Sequence, residues 1–356
     1  MILYNFINYI HPDKRKTLYS VYYKSRHLII YTFIGFLSII VELQIRKFLI
    51  TSEINNLFAS FVSIPPSVIL AFYLNIKFNF NIQRKKIINS FVFFILISFG
   101  SLLLQFFLKS ITNLSYNYEL NRLLISGSCF IIFYILHRKF SFKNYVKVGV
   151  AIYANGVEDI GKIFNKIGPY PDFIHVDIVD KTFLKKAKPV KSYKLEIIKS
   201  LWPSKEIHVH IMSKNPLKWV KEVKKYSDKT FIHFESVKNL NKFLKKNKFY
   251  KKKLGLAVSI NTNFEDYKKY LNLFDNLLLL TIKKPGYSGQ DFLKKSFNTI
   301  KKINSYTKNR KFNLCIDGGI NYDISKKIKC EEVVSGSFIL NSNDPIKTYL
   351  KLKYNK

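Results

Sequence analysis

Histidine and carboxylate side chains stand at the ends of several short apolar segments in the second half of the chain. In FIHVDIVD (173–180), His175 and Asp177 alternate with apolar residues. A half-buried strand with one solvated face would show this alternation, and so would a barrel strand that points two metal ligands into a site. Later segments end in the same way, at His210, His233, Glu235 and Asp317.

These polar ends and the glycines near them suggest two kinds of binding site. Two histidines and two carboxylates from three segments suit a borderline or hard divalent cation, although each histidine alone could be an ordinary hydrogen-bonded strand residue. Exposed N–H groups of glycine-rich loops on adjacent strands bind phosphate. Three such stretches follow the later segments: KPGYSGQ (284–290), DGGI (317–320) and SGSFI (335–339).

The elements that must position these residues are short apolar segments alternating with lysine-rich, helix-compatible ones. Eight regular units of this kind predict an α/β (β/α)8 TIM barrel, with a doubly wound open sheet as the competing architecture. In a barrel the carboxyl ends of the strands meet at one mouth, which would bring the polar ends together. The candidate strands are 146–154, 172–180, 206–212, 230–235, 253–260, 276–282, 311–318 and 331–339.

The first half of the chain is dominated instead by Ile, Leu, Phe and Ser. About 20 apolar residues span a bilayer, and four long apolar segments in a row argue against buried core helices. We therefore predict an N-terminal all-α, four-helix transmembrane domain over 27–142, between a cytoplasmic segment 1–26 and the barrel over 143–356. The four apolar segments are 27–45, 57–74, 87–108 and 120–136.

The distribution of Lys and Arg predicts the orientation of these spans. Segments rich in Lys and Arg precede the first span, lie between the second and third spans, and follow the fourth span. Because cytoplasmic loops carry the excess of Lys and Arg, we expect a multi-pass protein of the inner (cytoplasmic) membrane. Its N-terminus and its barrel would both lie in the cytoplasm.

The composition limits the classes of partner. The 356 residues include 59 Lys and Arg against 23 Asp and Glu, a net charge of +36. The lysines are scattered and no nucleic-acid motif accompanies them, so we expect no nucleic-acid partner and a preference for anionic lipid. Three irregularly spaced cysteines predict no disulfide framework, and the N-terminus lacks the pattern of a cleaved signal peptide. The sequence does not determine the oligomeric state, and a homo-oligomer is one of the open alternatives.

One charged residue lies inside a predicted span. Glu42 is near the end of the first span, where a carboxylate is costly in lipid. Intramembrane charges are often functional, so Glu42 is a candidate for a role in transport. The alternative is an end residue that snorkels to the surface and pairs with Arg46, one turn further on.

A motif K-F-x-F follows the second and the fourth apolar segments, in AFYLNIKFNF and ILHRKFSF. Its recurrence at matching places predicts two repeated helical hairpins. With FIGF in the first span, these stretches resemble the GtrA-like membrane domain over about residues 25–145. The resemblance implies a link to surface polysaccharide synthesis and to the movement of polyprenyl-phosphate-linked sugars across the membrane.

Six motifs of the second half occur in collinear order: IHVDIVD, VHIMSKNPLKWV, IHFE, PGYSGQDF, CIDGGIN and SGSFILNSNDP. They resemble ribulose-phosphate 3-epimerase from about residue 146 to residue 352, which implies a TIM barrel of the ribulose-phosphate-binding type. The resemblance implies one divalent metal ion, Zn, Fe, Mn or Co, with Asp177 and Asp317 also acting as catalytic acid and base. The implied metal ligands are His175, Asp177, His210 and Asp317. The implied phosphate-binding residues are Gly286, Gly289, Gly318, Gly319, Gly336 and Ser337.

Four positions depart from the pattern of that family near the expected substrate. A family serine is replaced by Ala154, a glycine by Lys181, and two methionines by Val179 and Thr281. The expected metal ligands are complete while part of the substrate lining differs. A different ketose phosphate or a slower turnover would follow from these changes.

These features together predict a membrane-tethered, metal-dependent isomerase acting on a ketose phosphate at C3. The expected substrates are ribulose 5-phosphate and xylulose 5-phosphate or a related ketose phosphate. Two carboxylates would transfer protons through an enediolate, in a reaction coupled to surface polysaccharide or lipid-linked sugar metabolism. The alternative is a polyprenyl-phosphate-sugar translocation protein whose barrel is a non-catalytic sugar-phosphate sensor.

Overall fold

The computed structural model describes residues 12–80, 82, 86–111, 118–143, 145–154, 159–191, 193–308, 310 and 312–354. The chain divides into two compact units, with the boundary between Tyr145 and Val146. Of the predicted N-terminal segment 1–26, residues 1–11 lie outside the described part of the chain.

Four long helices make up the described part of the first unit: α1 (Pro12–Thr51), α2 (Asn56–Leu74), α3 (Ile87–Ile111) and α4 (Tyr118–Leu136). Four stretches of 27, 24, 22 and 23 residues are long and apolar enough to cross a membrane. They lie within these helices and the helical turns that directly follow them. Large apolar side chains such as Phe61 and Phe106 are exposed on this unit, as lipid-facing helices require. The four predicted spans are confirmed, although the first helix begins well before residue 27 and continues to Thr51.

The two K-F-x-F motifs occupy equivalent places after α2 and α4. Each lies on a π-helical turn, and the turns are Asn75–Asn79 and His137–Ser141. The N–H of Phe80 closes the first turn and that of Phe142 closes the second, each by donating to the first carbonyl of its turn. The two phenylalanine rings stack with centroids 4.2 Å apart, so the two motifs meet, while the repeat of two hairpins stays a prediction.

Eight parallel strands of the second unit close into a barrel in sequence order. The closed barrel confirms the predicted (β/α)8 fold and rules out the open sheet. The strands are β1 (Lys147–Tyr153), β2 (Phe173–Val179), β3 (Glu206–Met212), β4 (Lys229–His233), β5 (Leu254–Ser259), β6 (Asn276–Leu280), β7 (Asn313–Asp317) and β8 (Glu332–Ser335).

Helices surround these strands. They are α5 (Ile160–Ile167), α6 (Lys194–Leu201), α7 (Pro216–Val223), α8 (Leu240–Lys246), α9 (Phe264–Tyr267), α10 (Ser296–Tyr306), α11 (Tyr322–Lys327), α12 (Ser337–Leu340) and α13 (Pro345–Tyr354). Most strands are shorter than predicted; for example, β4 ends at His233, with Glu235 on a 3-10 turn, and β8 ends at Ser335, with Ser337 opening α12.

The barrel interior is packed by aromatic rings that need glycine beside them. A Cβ at Gly149 would lie 2.2 Å from the ring of Phe173, and one at Gly255 would lie 2.6 Å from the ring of Phe231. Both rings belong to one buried apolar cluster. Since residues two apart on a strand share a face, Phe173 places His175 and Asp177 inside the barrel as well, toward the carboxyl end of β2.

Candidate active site

The four predicted metal ligands come together at the carboxyl end of the barrel. β2 carries His175 and Asp177, β3 carries His210 and β7 carries Asp317, and one ligand atom of each lies within 4.8 Å of the others. Nδ1 of His210 is 2.9 Å from Oδ1 of Asp177, and Nε2 of His175 is 3.5 Å from the same oxygen.

This cluster fits a divalent cation. Both ring nitrogens of His175 are buried, and neither forms a hydrogen bond with the described residues. A buried polar atom without a partner is unfavourable by about 1–3 kcal/mol, and ligation of a metal would remove that penalty. The two imidazoles and two carboxylates could therefore hold one metal ion.

The two carboxyl groups of the cluster have opposite pKa shifts. Burial would raise the pKa of Asp177, but its interactions with His175 and His210 outweigh burial and hold the pKa well below its usual range. For Asp317, burial is the largest influence. Although the charge of His175 opposes it, burial together with the charge of Asp177 raises the pKa of Asp317 to about 7. Near neutral pH one carboxyl is ionised and the other can carry a proton.

A cavity of about 500 Å³ opens beside these carboxyl groups. Its lining includes Asp177, Asp317 and all six residues expected to bind phosphate, namely Gly286, Gly289, Gly318, Gly319, Gly336 and Ser337. Glycine is required at Gly319, because its φ is +67° and a Cβ there would lie 2.2 Å from the backbone nitrogen of Phe292. The three glycine-rich loops thus border one cavity.

The cavity lining also contains side chains that the sequence did not single out, among them Tyr153, Asn321 and Asn341. A fourth, Gln290, lies in the quoted motif PGYSGQDF but had no assigned role. Its amide accepts from the N–H of Lys284 at 2.9 Å and donates to the carbonyl of Tyr287 at 2.8 Å. Gln290 therefore holds the loop after β6 in a closed turn, which local motif spacing alone did not reveal.

The departures from the family pattern occupy different environments. None of the four positions, Ala154, Val179, Lys181 and Thr281, is among the described residues that line the cavity, so the expected change of the substrate lining is not seen there. Thr281 Oγ1 donates to the carbonyls of Asp317 at 2.8 Å and Gly318 at 2.6 Å, so it fixes the end of β7. Val179 packs in a small buried apolar cluster, and Lys181 is exposed.

His233 and Glu235 lie behind His210 and outside the four-residue cluster. His210 Nε2 is 3.0 Å from His233 Nε2, and His233 Nδ1 is 3.0 Å from Glu235 Oε2. Glu235 also accepts from the N–H of Ser259 at 2.9 Å and from the hydroxyl of Thr262. Burial would raise the pKa of Glu235, but these hydrogen bonds lower it. Burial lowers the pKa of His210 to about 4, so its imidazole is neutral at physiological pH.

A second polar group at the amino end of the strands was not predicted. Glu206, His208 and Glu332 offer ligand atoms within 4.8 Å of one another. However, Lys229 Nζ lies 2.6 Å from Glu332, and Lys147 Nζ lies 3.2 Å from Glu206. Because two lysines already balance the two carboxylates, this group is an ion-pair network and a poor site for a cation.

In the first unit, Glu42 of α1 is buried and forms an ion pair with Arg122 of α4. Both contacts, Nε to Oε1 and Nη2 to Oε2, measure 2.9 Å. Arg46 donates instead to Ser60 at 2.9 Å and Asn56 at 3.2 Å. The expected alternative pairing of Glu42 with Arg46 is therefore wrong.

The Glu42–Arg122 pair borders a cavity of about 160 Å³ between the helices. Several polar side chains share its lining, among them Ser67, Gln105 and Ser126. Arg122 also donates to Gln105 and, at 3.3 Å, to Ser126. The sequence does not indicate this role of Arg122, because the end of an apolar segment gives no sign of a partner on another helix.

Both halves of the chain match known families. Residues 148–340 match the model of the Ribulose-phosphate 3 epimerase family, and residues 30–142 match that of the GtrA/DPMS transmembrane domain. A ribulose-phosphate 3-epimerase of Buchnera aphidicola subsp. Baizongia pistaciae (strain Bp) is 30% identical over 191 residues, which are 51% of this chain and 82% of that protein.

Solved structures resemble the barrel at low sequence identity. KGPDC from Streptococcus mutans is 15% identical and gives a TM-score of 0.41, with 58% of this chain and 95% of that chain covered. A 3-hexulose-6-phosphate synthase is 14% identical and also gives a TM-score of 0.41, with 58% of this chain and 98% of that chain covered.

The closed barrel with its polar mouth, together with the four apolar helices, defines a (β/α)8-barrel protein joined to a multi-pass membrane unit. Through its barrel, the chain belongs to the ribulose-phosphate 3-epimerase family. Its first unit is a GtrA/DPMS transmembrane domain.

Proposed function

We propose that the barrel is a metal-dependent isomerase that epimerises a ketose phosphate at C3, with ribulose 5-phosphate and xylulose 5-phosphate as the expected pair. The observation that carries this proposal is the pairing of Asp177 and Asp317. They share one cluster, have opposite pKa shifts, and line the same cavity as the glycine-rich loops.

The two carboxyl groups supply the proton transfers. Epimerisation beside a ketone requires one group to remove the C3 proton and another to return a proton on the opposite face. Asp177 is ionised and removes the proton from one epimer, while Asp317 carries a proton near neutral pH and delivers it. Afterwards the proton resides on Asp177, so the same pair performs the reverse reaction with the roles exchanged.

The remaining side chains bind and orient the substrate. His175, Asp177, His210 and Asp317 would hold one divalent cation, which supplies positive charge next to the oxygens of the developing enediolate. Backbone N–H groups of the loops that contain Gly319, Gly336 and Ser337 would hold the phosphate at the other side of the cavity.

Conversion of ribulose 5-phosphate to xylulose 5-phosphate by the purified full-length protein tests the proposal. We expect conversion with Mn²⁺ or Co²⁺, loss of conversion after chelation, and recovery when metal is restored. Unphosphorylated ribulose serves as the control and should not react. A protein that holds stoichiometric metal yet converts no ketose phosphate would contradict the proposal. Binding of ribulose 5-phosphate without stoichiometric metal would favour the sugar-phosphate sensor.

We also propose that the GtrA/DPMS unit handles a polyprenyl-phosphate-linked sugar in the inner membrane, which would couple the epimerase to surface polysaccharide assembly. The support is the polar cavity between the helices, with Glu42 on its wall. In this proposal Glu42 takes part in transport. Translocation of a short-chain polyprenyl-phosphate sugar in proteoliposomes should exceed that of protein-free vesicles. It should fall in Glu42→Gln and persist in Glu53→Gln, an exposed control position.

A further inference from the structure

His210 has a partner on each of its ring nitrogens. Its Nδ1 faces Oδ1 of Asp177 at 2.9 Å, on the side of the metal cluster. Its Nε2 faces Nε2 of His233 at 3.0 Å, and both imidazoles are fully buried. Two facing ring nitrogens form a hydrogen bond only when one carries a proton and the other does not, so the tautomers of the two histidines depend on each other.

Glu235 decides which nitrogen carries the proton. Its Oε2 lies 3.0 Å from Nδ1 of His233, and an ionised carboxylate can only accept. Its Oε1 accepts from the N–H of Ser259 at 2.9 Å and from the hydroxyl of Thr262, which keeps the carboxylate in place. His233 therefore carries its proton on Nδ1, and its Nε2 is left as an acceptor.

The consequence for His210 follows directly. Because Nε2 of His233 accepts, His210 donates from its own Nε2, and its Nδ1 is left unprotonated toward Asp177. Nδ1 and the Asp177 carboxylate are then two acceptors that face each other at 2.9 Å. Two facing acceptors repel unless a cation binds both, and the four-residue cluster could hold such a cation.

We propose that His233 and Glu235 are positioning residues, which keep the proton on Nε2 of His210 and present its Nδ1 to the divalent cation. This inference rests on the metal site of the proposed function. A metal-ligating histidine usually donates its other N–H to a neighbouring group that fixes its tautomer. Here that group is a second histidine backed by a carboxylate, and neither residue is among the described residues that line the cavity.

The first test is the affinity of the full-length protein for Zn²⁺. His233→Phe removes the acceptor and should raise the dissociation constant about 10- to 100-fold. His233→Gln should restore most of the affinity, since its amide can accept from His210 and donate to Glu235. Glu235→Gln should also weaken binding, because an amide no longer forces the proton onto Nδ1 of His233. Thr230→Val is the matched control, a buried change on the same strand that should leave the affinity unchanged.

The second readout is the ¹⁵N spectrum of histidine-labelled, Zn²⁺-loaded protein, with the His210 signals assigned by their loss in His210→Asn. We expect His210 to show a metal-bound Nδ1 and a protonated Nε2. A metal-bound Nε2, or a His233→Phe protein that binds Zn²⁺ as tightly as the wild type, would overturn the inference. Wild-type protein with the expected tautomer but no epimerase activity would refute the proposed function alone. Protein that binds no metal would overturn both.

Discussion

Asp177 and Asp317 belong to one cluster, yet their neighbours hold them in opposite protonation states. Asp177 lies beside two imidazoles, and its interaction with His175 in particular favours its charged form despite burial. Asp317 is partly buried and lies close to that negative charge, so its protonated form is favoured. Two carboxyl groups whose pKa values differ in this way can act as base and acid in one turnover without any change of fold.

The raised pKa of Asp317 is expected to make the affinity for a metal ion depend on pH. The pKa of Asp317 is about 7, so below that pH a proton competes with the cation for its carboxyl oxygens. We expect the dissociation constant for Mn²⁺ to fall at least about tenfold per pH unit between about pH 5 and 7, and to change less above that range.

Calorimetric titrations in buffers of different ionisation enthalpy measure this effect. At pH 6 about one proton or more should be released per metal bound, and fewer should be released at pH 8. The Asp317→Asn variant should lose the proton release that is due to this residue. Metal binding by the wild type that is independent of pH from 5 to 7 would show that Asp317 is not a ligand.

The glycine-rich loops at the strand ends line the same cavity as the carboxyl groups, and two of their glycines provide a matched comparison. Gly289 and Gly319 both have positive φ, +75° and +67°, and both line the cavity. A Cβ at Gly289 would meet nothing within 4 Å, whereas one at Gly319 would lie 2.2 Å from the Phe292 nitrogen. Replacement of Gly289 by alanine therefore costs only the free energy of the unfavourable backbone conformation, about 1–2 kcal/mol, without a steric clash.

We accordingly expect Gly319→Ala to raise the KM for the ketose phosphate about tenfold or more, and Gly289→Ala to raise it less, since only the first must displace backbone atoms of a neighbouring loop. Steady-state kinetics alongside thermal unfolding would separate loss of binding from loss of stability. Equal KM values for the two variants would argue against a phosphate site at these loops.

In the membrane unit, the link between α1 and α4 is the Glu42–Arg122 pair. Removal of one partner leaves a buried charge, so Glu42→Gln and Arg122→Gln should each destabilise the fold by about 3–5 kcal/mol. The double variant should be destabilised by much less than the sum. Thermal unfolding in detergent measures all three, with Arg46→Gln as the control. Additive effects would show that the two side chains do not interact.

The strands, the ligand cluster and the glycine loops were predictable because each depends on local sequence patterns. His175 and Asp177 alternate with apolar residues on one strand, and parallel strands in sequence order bring His210 and Asp317 to the same mouth. The partner of Glu42 was not predictable, because it lies 80 residues away on another helix and its position depends on tertiary packing.

The contact of His210 with His233 and Glu235 was predictable only in part. The sequence marks His233 and Glu235 as polar strand-end residues, but the direction of a side chain past the end of a strand depends on the turn that follows. β4 stops at His233, and the 3-10 turn Phe234–Ser236 directs Glu235 back toward the His233 ring. No periodic pattern in the sequence indicates that turn.

The whole chain combines a barrel of the epimerase family with a GtrA/DPMS transmembrane domain and a net charge of +36. Its orientation in the membrane, its preference for anionic lipid and its oligomeric state stay predictions. Of the basic residues that suggest the orientation, Arg84 and Lys85 lie outside the described part of the chain.

Cysteine labelling would test the orientation. The natural cysteines Cys129, Cys315 and Cys330 are all buried, so background labelling should be low. We expect Ser52→Cys, between the first two spans, to react with a membrane-impermeant maleimide in intact cells. Asn343→Cys on the barrel should react only after the cells are opened. The reverse pattern would place the barrel outside the cytoplasm.

The incorporation of solvent deuterium at C3 of ribulose 5-phosphate tests the two-carboxylate mechanism most directly. Full-length, metal-loaded protein should introduce one deuterium at C3 as the two epimers interconvert. Asp177→Asn and Asp317→Asn should slow incorporation by about 100-fold or more, while the exposed control Asp266→Asn should not. Metal-loaded wild-type protein that returns the substrate without deuterium, or variants that exchange at the wild-type rate, would contradict the account.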